Sequence, residues 1–276
     1  MNFSDISSNP FWIHDLSPII VELGPLQLRY YGILFSLTIL IGFYFWYKQI
    51  IRSGRDENAA YAFLWMGVAG VVIGSRLGHV LFYEPDRFFQ NPLHIIYIWR
   101  GGLASHGAAI GILTALWAYS RRYNMTMTEA CDRFSISVTV GATLVRIGNF
   151  FNSEIVGRAS DVPWAVVFTK YDRMMGLPPT ARHPSQLYEA AMAIVVFLVL
   201  FITDRKLGED RPPGLMVGIL LAGYFTLRFF VEYFKEYQAL SSSFPFTMGQ
   251  LLSVPFAAAG YIILITILLK KRKQAR

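Results

Sequence analysis

An all-α polytopic membrane protein is the fold class that the sequence predicts, with residues 1–276 forming a single integral membrane domain. Two observations support this prediction. The chain is 54% hydrophobic and only 16% charged, whereas soluble globular proteins carry about 25% charged residues. Apolar runs of about 20 residues, long enough to cross roughly 30 Å of hydrocarbon, also recur along its length.

About seven transmembrane helices are expected from these apolar runs. The predicted spans are residues 30–50, 60–83, 101–120, 132–152, 186–203, 214–235 and 249–269.

Basic residues mark one side of the predicted bundle. They concentrate in the connections 51–58, 121–131 and 204–212 and in the C-terminal run 268–276. Because cytoplasmic loops are enriched in Lys and Arg, this side is predicted to be cytoplasmic. An odd number of spans then places the N-terminus outside and the C-terminus in the cytoplasm.

Two longer segments fall on the opposite, outer side. Residues 84–100 are rich in aromatic side chains and are predicted to form an interfacial arm. Residues 153–185 combine Pro, Gly and alternating apolar residues, which indicates a small, partly β head. Neither segment is long enough to be a separate soluble domain.

Charge, cysteine content and motifs exclude several function classes. The net charge of +7 lies in short loops and the tail, as expected beside an anionic leaflet, so no nucleic-acid partner is predicted. Cys131 is the single cysteine, so no intrachain disulfide forms. No zinc-protease, nucleophile-elbow or phosphate-loop motif occurs, and we expect neither a metal nor a cofactor.

Three arginines lie within predicted spans, all in the outer half of a helix that runs outward. An arginine at the centre of a membrane helix costs on the order of 3 kcal/mol, so three of them need a reason. Each could reach the headgroups or pair with a glutamate eight residues later, or the three could share an anion site, for which a phospholipid phosphate is the obvious ligand. The arginines are Arg76, Arg146 and Arg228, and the glutamates are Glu84, Glu154 and Glu236.

Four other polar residues within or beside the spans are candidates for the same site. His106 is either a structural hydrogen-bonding group or a general base, because the ordinary imidazole pKa of about 6.5 suits proton transfer. Tyr31 is either an interfacial aromatic residue or a site residue. Glu189 and Glu232 either pair with the arginines or take part in substrate binding.

Several motifs resemble those of the bacterial prolipoprotein diacylglyceryl transferases. The segment "RIGNFFNSEIVGR" (146–158) is similar to the family signature, and further similar motifs follow the family's order along nearly the whole chain. They are "YYGI" (30–33), "SRLGHVLFYE" (75–84), "GGLASHGAAIG" (101–111), "RHPSQLYEA" (182–190), "RFFVEYF" (228–234) and "MGQLLSVP" (248–255).

The resemblance implies an enzyme of the bacterial inner membrane with seven spans and an outer, periplasmic active site. Such an enzyme moves the diacylglyceryl group of phosphatidylglycerol onto the lipobox cysteine of a preprolipoprotein, forming a thioether and releasing glycerol phosphate. Carried over by motif, the implied catalytic residues are His106, Arg228, Tyr31, Asn149 and Glu154. The implied phospholipid-binding residues are Arg146, Arg228 and Gly157, and the supporting residues are Arg76, Glu189, Glu232 and Tyr224.

The chain departs from the family pattern at a few positions without losing a proposed charge or base. Val145 and Ser153 replace the usual small or Gly residues, Ala108 replaces a second Gly after the histidine, and Lys235 replaces a frequent arginine. Two other functions remain open from the residues alone. A transporter or channel for an anion would use the same arginines, and a structural assembly protein would leave their cost unexplained.

Overall fold

The computed structural model describes residues 11–24, 26–97, 102–236 and 245–274. It contains two compact units. The first comprises the described residues of Met1–Tyr44 and Ser135–Arg276, and the second comprises those of Phe45–Phe134. The expectation of one integral membrane domain over the whole chain stays a prediction.

Helices dominate the described residues, which confirms the all-α fold class. All seven predicted spans contain a helix. The helices are α1 (Tyr30–Arg52), α2 (Glu57–Tyr83), α3 (Pro85–Gln90), α4 (Ser105–Arg122), α5 (Met127–Asn152), α6 (Thr169–Met175), α7 (Ser185–Leu207), α8 (Leu215–Val231) and α9 (Met248–Gln274).

Six of these helices are long and apolar enough to cross a membrane, namely α1, α2, α5, α7, α8 and α9. The chain is therefore a multi-pass membrane protein. Helix α4, which occupies the third predicted span, is 18 residues long and ends in two arginines. Residue 101 of that span lies outside the described residues, and the total of seven spans stays a prediction.

Side-chain caps fix where two of the long helices begin. The carboxylate of Asp56 accepts a hydrogen bond from the backbone N–H of Ala59 at 2.9 Å at the start of α2. The hydroxyl of Thr126 accepts one from the N–H of Glu129 at 3.1 Å at the start of α5. These bonds satisfy N–H groups that a helix leaves without intrahelical partners.

The described part of the first unit contains two small sheets. Strands β1 (Trp12–His14), β4 (Val166–Phe168) and β5 (Ala181–Arg182) form one, with β1 parallel and β5 antiparallel to β4, while β2 (Ile19–Leu23) and β3 (Leu26–Arg29) form an antiparallel hairpin. Strands β4 and β5 and helix α6 lie within the predicted head, which is thus partly β. The pairing of an N-terminal strand with this segment was not predicted from the sequence. Placement of the head outside the membrane stays a prediction.

Helices α2 and α4 of the second unit pack backbone against backbone. A Cβ atom on Gly74 would collide with the carbonyl oxygen of Gly107, and one on Gly111 would collide with that of Gly70. Glycine on both helices is what permits this approach, as in many membrane helix pairs. We call these two helices the α2–α4 pair.

The predicted arm follows directly after α2. Its described part consists of α3 and a 3₁₀ turn, Pro92–Ile96, while residues 98–100 lie outside the described residues. The interfacial position of the arm stays a prediction.

Candidate active site

Helix α5 ends in a Schellman motif that places the signature residues. The N–H of Ser153 donates to the carbonyl of Phe150 at 3.0 Å, and the N–H of Glu154 donates to that of Asn149 at 2.9 Å. This pair of bonds closes a helix when the residue after its C-cap, here Ser153, is left-handed. Ser153 has φ +57°. The turn therefore brings Glu154 back over the last turn of α5.

The carboxylate of Glu154 is held by two amide side chains. Asn149 Nδ2 donates to Oε2 and Asn152 Nδ2 donates to Oε1, both at 3.1 Å. The residues on either side of Glu154 are left-handed, with φ +57° at Ser153 and +56° at Ile155. Such a conformation costs about 1–3 kcal/mol for a residue other than glycine and is concentrated at functional sites. The strain on both sides of Glu154 identifies this turn as the centre of a candidate site.

The start of α7 holds the same turn. Gln186 Nε2 donates to the carbonyl of Glu154 at 2.6 Å, and the hydroxyl of Ser185 donates to the carbonyl of Ile155 at 2.8 Å. Both side chains are fully buried. Both residues lie in the motif at 182–190, but neither was predicted to be a site residue. The feature that could have identified them is a pair of polar residues in the first turn of an apolar helix.

Arg146 lies one turn before Asn149 and joins it to α7. Its Nη1 donates to Asn149 Oδ1 at 3.3 Å, so Asn149 accepts from Arg146 and donates to Glu154. Its Nε lies 3.2 Å from Oε2 of the fully buried Glu189, although the angle is outside hydrogen-bond alignment. The guanidinium is thus fixed from two sides.

A second cation completes a group that we call the charge cluster: Arg146, Glu189, Lys235 and Glu232. Lys235 Nζ lies 3.0 Å from Glu232 Oε2 and 3.7 Å from Glu189 Oε1. The carboxylate of Glu232 packs against Gly249, where a Cβ would overlap it. Two cations and two anions give the cluster a formal charge of zero. Buried ions persist when they are paired in this way, and removal of one partner is strongly destabilising.

Arg228 on α8 has a donor without an acceptor. Its Nε is buried and has no hydrogen-bond partner among the described residues. Tyr224, one turn earlier, makes an edge contact with Phe225 at 5.4 Å between ring centroids. A buried donor left without a partner costs about 1–3 kcal/mol, which a ligand with acceptor oxygens would remove.

Gly157 and Tyr31 lie where the backbone is crowded. The N–H of Gly157 donates to the carbonyl of His183 at 3.0 Å, and a Cβ at this position would collide with the carbonyl oxygens of His183 and Phe234. Tyr31, in the first turn of α1, lies against Gly148 of α5, where an added Cβ would be 2.7 Å from the tyrosine ring. Each glycine therefore permits an approach that any side chain would prevent.

In the second unit, the buried Arg76 binds backbone. Its Nε donates to the carbonyl of Ile95 at 2.9 Å and its Nη1 to that of Gly102 at 3.1 Å. These two bonds hold the backbone at Ile95, within the arm, and at Gly102, just after it. The interpretation that Arg76, Arg146 and Arg228 share one anion site stays a prediction.

His106 is exposed in the first turn of α4. Its ring lies edge-on to Phe82 at 5.3 Å and tilted against Tyr83 at 5.8 Å. These aromatic contacts orient the imidazole. Over the described residues, no group of three or more acidic, His or Cys side chains is arranged to hold a metal ion.

Comparison with known proteins extends over nearly the whole chain. The profile of the prolipoprotein diacylglyceryl transferase family matches residues 18–266. A phosphatidylglycerol–prolipoprotein diacylglyceryl transferase of Chloroherpeton thalassium is 41% identical over 263 residues, which cover 94% of this chain and 95% of the relative. Proteins of the same name from Tolumonas auensis and Vibrio cholerae are 37% and 38% identical and cover 96% and 91% of this chain, and 99% and 91% of their own length.

These relatives are named as transferases, so the transporter alternative finds no support. The order of the motifs, the extent of the match and the level of identity agree, and the chain belongs to the prolipoprotein diacylglyceryl transferase family.

Proposed function

We propose that the chain transfers the diacylglyceryl group of phosphatidylglycerol to the lipobox cysteine of a preprolipoprotein, the first step of lipoprotein maturation. A sulfur–carbon bond forms as the bond between the same glyceryl carbon and the phosphate oxygen breaks. Glycerol phosphate leaves with the electron pair, and the thiol proton passes to a base. The names of the relatives, which specify phosphatidylglycerol and prolipoprotein, support both substrates.

The unpartnered Nε of Arg228 is the observation that supports this function most directly. Guanidinium groups bind phosphate oxygens through charge-assisted hydrogen bonds, which are about twice as strong as neutral ones. As the carbon–oxygen bond breaks, negative charge grows on the leaving phosphate, and a prearranged cation in a water-poor site stabilises it strongly. Arg146, Arg228 and Gly157 are the proposed phospholipid-binding residues, and the two guanidinium groups are proposed to bind the phosphate.

The rest of the charge cluster is proposed to position Arg146. Glu189 contacts Arg146 on one side and Lys235 on the other, and Glu232 anchors Lys235. The guanidinium is therefore oriented before substrate binds, which lowers the reorganisation needed during the reaction.

His106 is the proposed base for the acceptor thiol. A thiol with a pKa of about 8.5 is only a few per cent ionised at neutral pH, so removal of its proton accelerates attack. Tyr31, Asn149 and Glu154 are proposed to touch the substrates. Arg76 and Tyr224 are proposed supporting residues.

The chain is proposed to lie in the bacterial inner membrane with its N-terminus outside. Single cysteines introduced in a Cys131→Ser background test this orientation with an impermeant thiol reagent on intact cells. Asp161→Cys is expected to react, while Ser53→Cys, Arg122→Cys and Lys273→Cys are expected to be protected. Labelling of Lys273→Cys from outside would overturn the orientation.

The activity test uses purified protein, phosphatidylglycerol labelled in its acyl chains and a lipobox peptide. The expected product is the thioether-linked diacylglyceryl peptide together with glycerol phosphate. A peptide with Ser in place of the lipobox cysteine is the matched control and is expected to remain unmodified. Intact protein that yields no thioether would refute the proposal.

A further inference from the structure

His14 connects the N-terminal strand to the turn that carries Glu154. It is buried, and its Nδ1 lies 3.2 Å from the hydroxyl of Ser153, a residue 139 positions later in the chain. The hydroxyl is able to donate to a bare Nδ1 or accept from a protonated one, so either ring tautomer gives a hydrogen bond. Its Nε2 has no partner within the described part of the chain.

The sheet and the aromatic cluster fix the position of His14. Strand β1 pairs with β4 so that His14 is opposite Phe168. The imidazole also lies edge-on to Phe150, with ring centroids 4.7 Å apart. Phe150 is the residue whose carbonyl accepts the N–H of Ser153. His14 therefore contacts the Schellman motif at two of its members.

Ser153 occupies the one position of that motif where glycine is the usual residue. Glycine adopts positive φ without steric cost, whereas a side chain with a Cβ is strained there. The hydrogen bond between Ser153 and His14 supplies an external anchor for this strained residue. Because the next residue is Glu154, relaxation of Ser153 would shift the Glu154 backbone relative to Asn149, which binds both the N–H and the carboxylate of Glu154.

We infer that His14 is a positioning residue for the transfer reaction: through its hydrogen bond to Ser153, it holds the α5 turn in the left-handed conformation that sets Glu154. The inference rests on the proposed function, since it assumes that Glu154 takes part in the reaction. It assigns a role to a residue in the N-terminal strand, outside all the motifs that resemble the family.

Substitutions at Ser153 separate the anchor from the strain. Ser153→Ala removes the hydroxyl but keeps the Cβ, and it leaves the packing of His14 intact. Ser153→Gly removes both the hydroxyl and the strain. We expect kcat to fall about tenfold in Ser153→Ala, which corresponds to about 1.4 kcal/mol, with KM for phosphatidylglycerol changed less than about twofold. Ser153→Gly is expected to be faster than Ser153→Ala, and equal or slower turnover in the glycine variant would overturn the inference.

A double-mutant cycle then tests the role of His14 itself. His14→Leu keeps an apolar side chain against Phe150 but loses the hydrogen bond, and we expect a loss in kcat of about tenfold. In the Ser153→Gly background the same substitution is expected to cost less than about twofold, because the turn no longer needs the anchor. His14→Asn, which retains a polar atom near the position of Nδ1, is expected to recover part of the activity. An equal loss from His14→Leu in both backgrounds would show that His14 does not act through Ser153, and would overturn the inference.

Val166→Ala is the matched control, since Val166 is buried in the same cluster as Phe150 but does not bind Ser153. It is expected to lower the melting temperature without changing kcat per folded molecule, and Ser153→Gly is not expected to correct it. Should His14→Leu not fold, the comparison of Ser153→Ala with Ser153→Gly decides the inference alone. Absence of thioether formation by the parent protein would refute the proposed function instead, which keeps the two failures distinct.

Discussion

In the charge cluster, helices α5 and α7 and the residues after α8 meet through ion pairs, and Glu189 lies between Arg146 and Lys235. In the α2–α4 pair, the helices meet through glycine backbones, and the groove of about 490 Å³ beside them is lined mainly by apolar residues. The first arrangement depends on complete charge pairing. The second depends on the absence of side chains.

The two regions also give the same residue type different surroundings. Arg76 directs two donors to backbone carbonyls, which fix a chain segment. Arg146 faces a carboxylate and an amide, and that amide also binds Glu154. A matched position within a span is therefore insufficient to assign a shared role to two arginines. The atoms that surround each guanidinium separate a structural contact from a candidate reactive site.

The largest effect on the rate is expected from substitution of His106, which lies in the second unit. If His106 accepts the thiol proton, His106→Gln is expected to lose roughly 10²–10⁴-fold in rate, the usual worth of general-base catalysis. Binding of phosphatidylglycerol should be unchanged. Part of the rate should return at alkaline pH, where the peptide thiol ionises without help.

Rates measured from pH 6 to about 9.5 with folded protein check this prediction, since cysteine ionises within that range. A His106→Gln variant that is fast at neutral pH excludes the base role. One that is slow at every pH, with lipid binding intact, assigns His106 to orientation of the acceptor or polarisation of the leaving group.

The comparison of the two arginines predicts the next effect. Arg146→Lys keeps the charge but loses the planar fork that contacts Asn149 and Glu189, so we expect turnover to fall roughly 10²–10³-fold, as for removal of one oxyanion donor. Arg76→Lys is the matched control. It is expected to lower the melting temperature and to reduce turnover per folded molecule by less than about tenfold.

This prediction is tested by measuring the turnover and the melting temperature of both variants in the same detergent. Near-normal turnover in Arg146→Lys would show that the planar fork of the guanidinium is not needed. A larger loss of turnover in Arg76→Lys than in Arg146→Lys would reverse the distinction between the two regions.

The sequence was sufficient to predict the helices because apolar length is a local property. Each predicted span contains a helix, and the predicted start of α1 agrees with the observed residue, Tyr30. The partly β character of segment 153–185 was also predicted, from its Pro, Gly and alternating apolar residues. Its pairing with β1 was not, because a strand of three residues carries no periodic signal and its partner lies about 150 residues away.

The residue types of the candidate site were predictable from the sequence, but the contacts between their side chains were not. The cost of placing Arg146 and Arg228 within apolar spans was evident from their neighbours in the sequence. Pairing of Glu189 with one of the arginines was among the alternatives predicted, but the choice of Arg146 was not, because the two residues lie on different helices. Lys235 was noted only as a departure from the family pattern, yet it connects two buried carboxylates. Ionic partners are selected by tertiary packing, which a single sequence does not reveal.

The smallest effect expected is a pH dependence of stability that arises near β1 and the start of α7. Burial lowers the pKa of His14 and also that of His183. At His14 a backbone hydrogen bond and the charge of Asp15 oppose this lowering of the pKa, while the charge of Lys170 adds to it. Below pH about 6.5, the unfolded chain therefore binds protons that the folded protein excludes. The contribution of each histidine to the free energy of unfolding is fully present above that pH. It falls as the pH is lowered, by at most about 1.4 kcal/mol per pH unit for each histidine.

Thermal unfolding in detergent between pH 7.5 and about 5 measures this slope across the histidine range. His14→Asn removes one of the two groups and should flatten the slope while it retains a polar contact to Ser153. A variant with the parental slope would show that His14 is protonated equally in the folded and unfolded chains, and that the acid sensitivity arises elsewhere.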